Sequence, residues 1–358
     1  MSKFNYNNEA TLLAIRLRQL GDVLATLGAL EAVKKSGLVR TIAFVVDSHY
    51  HDLLKKADFI DVLLAQPPSV RGSDGLTRFI QYVEDVRSLR AAWTLDFHSN
   101  PRSALITALS GAPVRVGFDV RVRKLVYTNV EPRAIHKNGR LIPRTSQDCA
   151  LAIVRHIGIE APARRLLTEL KPEDEDVDEG RKALIDAGLD PGALDRGGVI
   201  GLNPGNPYPA KAWPDEHFIE LANRLAHQGN HVVFIWGPGE KERVLSIARR
   251  CDPGALMGPS LPLPALPGFL KHLGCLVTID SGLKHLAACT RVPTVTIFGP
   301  TSPLEWHMGG EFDTYVYRGL SCSPCRLLRC PFGSPCMGGI TPEAVMEQIE
   351  AIDRLKEG

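Results

Sequence analysis

Short β-branched runs and helically spaced apolar residues alternate along this chain in two series, a pattern that calls for parallel sheets covered by helices on both faces. The first series holds strand candidates at Thr11–Leu17, Thr41–Val46, Ile60–Leu64, Trp93–Phe97 and Val114–Phe118. After the first of them a turn at Gly21-Asp22 leads into a helix, where Val23, Leu24, Leu27, Leu30 and Val33 recur at helical spacing. The second series holds Val199–Asn203, His231–Trp236, Cys275–Ile279 and Thr294–Phe298. Between the two lie a stretch from His136 to Leu170 that reads as mainly helical, an acidic run from Glu173 to Glu179, and a Gly/Asp/Pro-rich segment from Gly188 to Gly198. The expected fold is α/β, with two doubly wound, Rossmann-like domains of residues 1–175 and 176–358 facing across a cleft. A length of 358 residues suits two such domains.

Charge and motifs narrow the function. Lys+Arg 42 against Asp+Glu 40 leaves a net charge of +2, too balanced for a dedicated nucleic-acid binder. The opening residues MSKFNYNNEAT lack the apolar core of a signal peptide, and no apolar run approaches the ~18 residues of a membrane span, so a cytoplasmic protein is expected. There is no G-x-x-x-x-G-K-[ST] loop, no G-x-G-x-x-G after the first strand, no G-x-S-x-G elbow and no H-E-x-x-H. P-loop, Rossmann dehydrogenase, α/β-hydrolase and zincin chemistry therefore lose their support.

In parallel sheets, ligands bind beyond the carboxyl ends of the strands, and polar, Gly-rich segments occupy those positions here. Asn203-Pro204-Gly205-Asn206-Pro207 leads to Lys211-Ala212-Trp213-Pro214, Gly237-Pro238-Gly239-Glu240 follows the next strand, and Asp280-Ser281-Gly282-Leu283-Lys284-His285 follows the one after. Asp280-Ser281-Gly282 sits where a strand gives way to a helix, whose first amides suit phosphate oxygens; His285 returns to the side of Ser281 one turn later. Asp280 or Ser281 as a plain helix cap is the competing reading, and so is Asp22 as a cap on the first helix. Lys211 lies in a loop and is suited to a diphosphate as a point charge, with a merely solvated loop lysine as the alternative. The strings Asp174-Glu175-Asp176 and Asp176-Val177-Asp178 match D-x-D, but a run of this kind is expected as a solvated linker or face.

Together, Gly21-Asp22-Val23-Leu24, Asn203-Pro204-Gly205, Lys211-Ala212-Trp213-Pro214, Asp280 through Ala288, Val292-Pro293-Thr294-Val295 and Phe298-Gly299-Pro300-Thr301 resemble glycosyltransferase family 9, the ADP-heptose:lipopolysaccharide heptosyltransferases and their relatives. The resemblance runs in consistent order from about residue 11 to the C-terminus. It implies a GT-B fold and inverting transfer with no cofactor required for catalysis. It also implies ADP-heptose as donor and the lipopolysaccharide inner core as acceptor. By the same resemblance Asp22 is the base that accepts the acceptor's proton and Lys211 offsets the charge of the departing diphosphate. Asn203, Gly205, Lys211, Asp280, Ser281, Gly282, Leu283 and His285 would then bind the donor.

Two further features bear on partners. Nine cationic residues, Arg102, Arg115, Arg121, Arg123, Lys124, Arg133, Lys137, Arg140 and Arg144, face only Asp119 and Glu131 between residues 102 and 144. A shared basic face would attract an anionic acceptor and allow peripheral contact with the cytoplasmic face of the inner membrane; scattered solvated arginines are the alternative. Cys322, Cys325, Cys330 and Cys336 bunch within fifteen positions and are candidate ligands for a structural zinc or iron, with reduced packing thiols as the alternative. Two other functional classes stay open, a GT-B sugar-nucleotide epimerase and a non-catalytic nucleotide- or metal-binding module.

Overall fold

The computed structural model describes residues 10–66, 73–137, 140–142, 144–160, 167–195, 198–205, 208–252 and 254–357. The opening segment searched for a leader therefore lies almost wholly outside the described residues, as do Asn206 and Pro207 of the Lys211 loop. The chain divides into two compact units, Met1–Thr168 and Glu169–Gly358.

In the first unit, β1 (Thr11–Ile15), β2 (Thr41–Asp47), β3 (Val62–Gln66), β4 (Trp93–Asp96), β5 (Val114–Phe118) and β6 (Asn129–Glu131) form one sheet in the order β3-β2-β1-β4-β5-β6. Every neighbouring pair is parallel. Leu12 through Ile15 of β1 are fully buried, as expected of a central strand covered on both faces. Leu13, Ile15, Leu17, Ala43 and Val45 face Tyr82, Val86 and Ile106 in one core cluster. The helix Leu20–Lys35 is apolar nearly all round because it packs on the sheet and also on the helix Ser146–Arg155. Gly21 and Asp22 are thus its first turn, not a turn before it, and no side chain caps it.

The interval from His136 to Leu170 is less helical than expected. It carries an antiparallel hairpin of β7 (Ile135–Lys137) and β8 (Arg140–Ile142), then the helix Ser146–Arg155; residues 161–166 lie outside the described part. Strands of three residues are shorter than a helical turn, so their hydrophobic spacing cannot declare them.

The second unit repeats the plan with β9 (Val199–Asn203), β10 (His231–Phe234), β11 (Leu256–Met257), β12 (Cys275–Ile279), β13 (Thr294–Phe298) and β14 (Asp313–Tyr317), ordered β11-β10-β9-β12-β13-β14 and all parallel. Alternate residues of the central strands, such as Ile200 and Leu202, Val277 and Ile279, Val295 and Ile297, share a core with Trp213, Phe218, Leu221, Leu225, Val345, Ile349 and Ile352.

The acidic run is a solvated helix face and not a linker. Residues Asp174–Asp186 form a helix whose first turn carries Asp174, Glu175 and Asp176, where carboxylates complement the helix dipole. The Glu173 amide donates to Asp176 Oδ2 at 2.9 Å, half of a capping box. That helix docks against Leu266–Leu270. The fit depends on Gly268, where a Cβ would stand 2.1 Å from the carbonyl oxygen of Asp176. Because the obstruction is backbone and cannot swing aside, Gly268→Ala should lower stability by about 1–3 kcal/mol or more, read as a reduced chemical-denaturation midpoint of the full chain.

Candidate functional site

Both sheets reverse strand order between their first and fourth strands, and in such sheets the crevice beyond the carboxyl ends at that reversal is where ligands bind. In the first unit this brings the residues after β1 and β4 together. Asp22 is held at both carboxylate oxygens: Arg16 Nη2 lies 2.5 Å from Oδ2, and Ser146 Oγ donates to Oδ1 at 2.8 Å. Arg16 Nη1 also donates to the Phe97 carbonyl, tying the two strand ends together. Ser146 owes its position to a capping box, in which Thr145 Oγ1 accepts from the Asp148 amide at 2.9 Å and Asp148 Oδ2 accepts from the Thr145 amide at 3.1 Å.

The loop after β4 is equally constrained. Asp96, fully buried, accepts from the amides of His98 and Ser99 at 2.9 and 2.7 Å and from the Tyr127 hydroxyl at 2.8 Å. Ser99 adopts a left-handed conformation, φ 52°, sustained by these bonds. A cavity of about 400 Å3 opens here, lined by Arg18, Gln19, Asp22, His98, Asn100, Pro101 and Arg102. Burial, aided by the nearby Arg16 charge, pulls the His98 imidazole down to about 4, so the ring is neutral near pH 7. Arg16, His98 and Ser146 were not legible as site residues. The only hint was the Thr-Ser-Gln-Asp capping signature around Ser146.

Several cations of the basic stretch are tied to backbone carbonyls. Among its described side chains, Arg115 bonds the Ala112 and Val126 carbonyls, Arg123 bonds the Ser99 carbonyl and Arg133 that of His98. Arg144 is buried against Glu131 at 2.7 Å. These cations staple loops; Arg102, with Arg18, lines the cavity. The side chains of Lys137 and Arg140 lie outside the described part.

In the second unit, Asp280 directly follows β12 and is 7% exposed. Lys284 Nζ approaches its Oδ1 at 2.6 Å, Lys211 Nζ its Oδ2 at 2.6 Å, and Thr301 Oγ1 donates to Oδ2 at 2.8 Å. Burial alone would raise the Asp280 carboxyl, but the two ammonium groups outweigh it and hold it well below the usual carboxylate range. Removing one partner of such a buried set costs about 3–5 kcal/mol. Lys211 ends a single 3-10 turn, Pro209–Lys211, in what sequence suggested was an irregular loop. It is anchored two residues on by Trp213, fully buried, whose Nε1 donates to the Ile340 carbonyl at 2.9 Å.

Asn203 and Ser281 join through Thr278, whose hydroxyl donates to Asn203 Oδ1 at 3.0 Å and lies 3.2 Å from Ser281 Oγ. Ser281 is the N-cap residue of the helix Gly282–Cys289 without a capping side-chain bond, and Ser281, Gly282 and Leu283 stay partly exposed. Gly205 has a different neighbour from a ligand: a Cβ there would meet Glu240 Oε2 at 1.9 Å. His285 is buried below the helix start with Nδ1 2.9 Å from Met308 Sδ, and burial keeps its ring far below its ordinary pKa.

The four cysteines do not come together as a metal centre among the described residues. Cys336 belongs to the apolar core beside Met337 and Ile340, whereas Cys322 is exposed. Burial raises the Cys336 thiol, with Cys325 and Cys330 adding to the rise. Among the described residues, no three His, Cys, Asp or Glu side chains form a set that could hold a metal ion, the Asp174–Asp178 strings included.

Two parallel α/β units, each with a charged set at its strand-order reversal, define the GT-B architecture. The chain matches glycosyltransferase family 9 (heptosyltransferase) over residues 83–334, well over half its length, and it belongs to that family. Lipopolysaccharide heptosyltransferase 1 of Pseudomonas aeruginosa is 29% identical over 184 residues, 44% of this chain and 52% of that protein. The chain spans about half the length of the curated relatives it matches. The structure of E. coli ADP-heptose LPS heptosyltransferase II superposes with TM-score 0.78 at 18% identity, covering 97% of this chain and 100% of that one. E. coli heptosyltransferase WaaC with ADP superposes with TM-score 0.73 at 20% identity, covering 96% and 99%.

Folded His98 titrates near 4 and unfolded histidine near 6.5, so between those values the unfolded chain binds the extra proton. Stability should therefore fall as pH drops from about 6.5 towards 4, and His98→Gln should flatten that fall, checked by denaturation midpoints at pH 7 and pH 5.

Proposed function

We propose that this protein is an inverting glycosyltransferase that moves a heptose from ADP-heptose to the lipopolysaccharide inner core. The observation that carries the reading is the doubly anchored Asp22 carboxylate in a cavity with two arginines. Arg16 and Ser146 hold one lone pair on each oxygen, and a carboxylate oxygen has a second to offer an acceptor hydroxyl. Arg18 and Arg102 suit the phosphates or carboxylates of an anionic acceptor. Family membership and the ADP-bound relative support a nucleotide-sugar donor.

The two units divide the work. Asp22 accepts the proton of the attacking hydroxyl as the new glycosidic bond forms and the bond to the diphosphate breaks. In the second unit, Lys211 and the first-turn amides of the helix Gly282–Cys289 receive the negative charge that collects on the leaving ADP. Each such preorganised donor is worth about 2.7–4 kcal/mol in comparable sites. Asn203, Ser281, Gly282 and Leu283 border the nucleotide diphosphate, Gly205 and His285 shape that border, and Asp280 sets the position of Lys211. The countercharge comes from lysine and amide groups, so the reaction needs no metal.

The test is transfer from ADP-heptose to a truncated core lipid, weighed by mass spectrometry, in buffer containing EDTA. Wild type should give the product. Asp22→Ala should lose about 10²–10⁴ in turnover while binding ADP nearly as before. Near-normal turnover in the variant, or conversion of the donor without acceptor, would remove the reading, the latter in favour of an epimerase.

An acceptor anchored in lipid also places the enzyme at a bilayer. No helix among the described residues is long and apolar enough to cross one. Val122 and Leu125, 75% and 78% exposed, project from the 3-10 helix Arg121–Val126 at i, i+3 spacing, flanked by Arg121 and Lys124. This apolar knob with flanking cations suits peripheral contact with anionic lipid. Val122→Asp with Leu125→Asp should abolish co-sedimentation with phosphatidylglycerol vesicles while leaving the denaturation midpoint unchanged; retained binding would reject the contact.

A further inference from the structure

Asp280 has two ammonium partners, and they are not equivalent. Lys284 is 3% exposed; besides Asp280 its Nζ donates to the Trp306 carbonyl at 2.7 Å and stands 4.5 Å above the centre of the Phe298 ring. It is fixed on three sides inside the protein. The Lys211 side chain is 20% exposed, and its other contacts are the Asp280 carbonyl at 3.1 Å and the Tyr208 ring at 5.9 Å. The lysine that faces solvent is therefore the one able to turn towards an arriving anion.

Turning away has an electrostatic condition. A carboxylate buried to this degree cannot be left without a partner, so a single lysine serving Asp280 would be locked to it. With a second, permanent cation on the opposite oxygen, Asp280 stays neutralised when the first departs. We propose that Lys284 is a positioning residue: it holds the Asp280 carboxylate so that Lys211 is free to leave it for the diphosphate of the donor. The inference rests on the donor reading above. It gives the residue four positions after Asp280 a role separate from any contact with the ligand.

Calorimetric titration of the full chain with ADP and with AMP tests it. Wild type should bind ADP more tightly than AMP. Lys284→Met should weaken ADP by about 10- to 100-fold, the loss of one charge-assisted contact, and AMP by less than about 3-fold, because Lys211 then remains on Asp280. Adding Asp280→Asn to that variant should restore most of the ADP affinity, since Lys211 is released and no charge is left buried alone. A merely structural role would weaken both nucleotides together. Equal losses, unchanged ADP binding, or no recovery in the double variant would each overturn the proposal. If Lys284→Met does not fold, lysine acylation of the wild type decides. Lys211 should be protected by ADP but not by AMP, with Lys284 unlabelled throughout; labelling of Lys284, or Lys211 reactivity indifferent to ADP, overturns it. A wild-type chain with no preference for ADP overturns the donor reading itself, whereas a preference that survives Lys284→Met overturns only this inference.

Discussion

A carboxylate taken out of water must keep its charge balanced, and in the second unit that requirement organises everything around Asp280. Its partners come from three segments: Lys211 from the 3-10 turn after β9, Lys284 from the helix after β12, and Thr301 from the loop after β13. Each is tied to the carboxyl end of a different strand. The ion cluster therefore sets the spacing of the loops as much as the sheet does, and the buried Trp213 keeps the Lys211 turn from drifting. Two ammonium groups share the Asp280 carboxylate, and the Asp313 carboxyl acts on one of them, Lys284.

The first unit solves the same geometric problem with a different charge pattern. Its reversal point carries Asp22 between a guanidinium and a hydroxyl, and a fully buried Asp96 that spends its oxygens on backbone amides and a tyrosine. Asp96 organises its loop, while Asp22 is on a cavity wall. Two copies of one sheet topology thus carry different charged sets, one a carboxylate held by a guanidinium and a hydroxyl, the other a buried carboxylate held by two ammonium groups. Such a division suits a reaction in which one partner must lose a proton and the other must shed an anion.

Much of this was legible beforehand. Central strands such as Thr41–Asp47 and Thr294–Phe298 announced themselves because burial on both faces demands a near-continuous apolar run rich in β-branched residues. The edge strands Asn129–Glu131, Leu256–Met257 and Asp313–Tyr317 did not, being short or only half covered. The acidic run is the solvated face it was expected to be, but as the start of a capped helix, and its exposed charges say nothing of Gly180 and Gly268 on the packed side. Sequence did not reveal that several arginines between residues 102 and 144 bond backbone carbonyls, because those partners lie in other loops. Cys322 and Cys336 belong to one cysteine-rich segment but differ in environment, one in solvent and one in the core.

The order of apolar and polar residues, on its own, determined two parallel α/β units and put Asp22, Lys211 and Asp280 beyond strand ends, because periodicity and strand-to-helix turns are local properties. What only the tertiary structure decided was partnership. Arg16 and Ser146 reach Asp22 from one residue beyond a strand and from 124 residues downstream, and Lys211 reaches Asp280 across 69. Electrostatic pairing depends on distance in space, and no local pattern encodes which distant side chain will arrive to satisfy a buried charge.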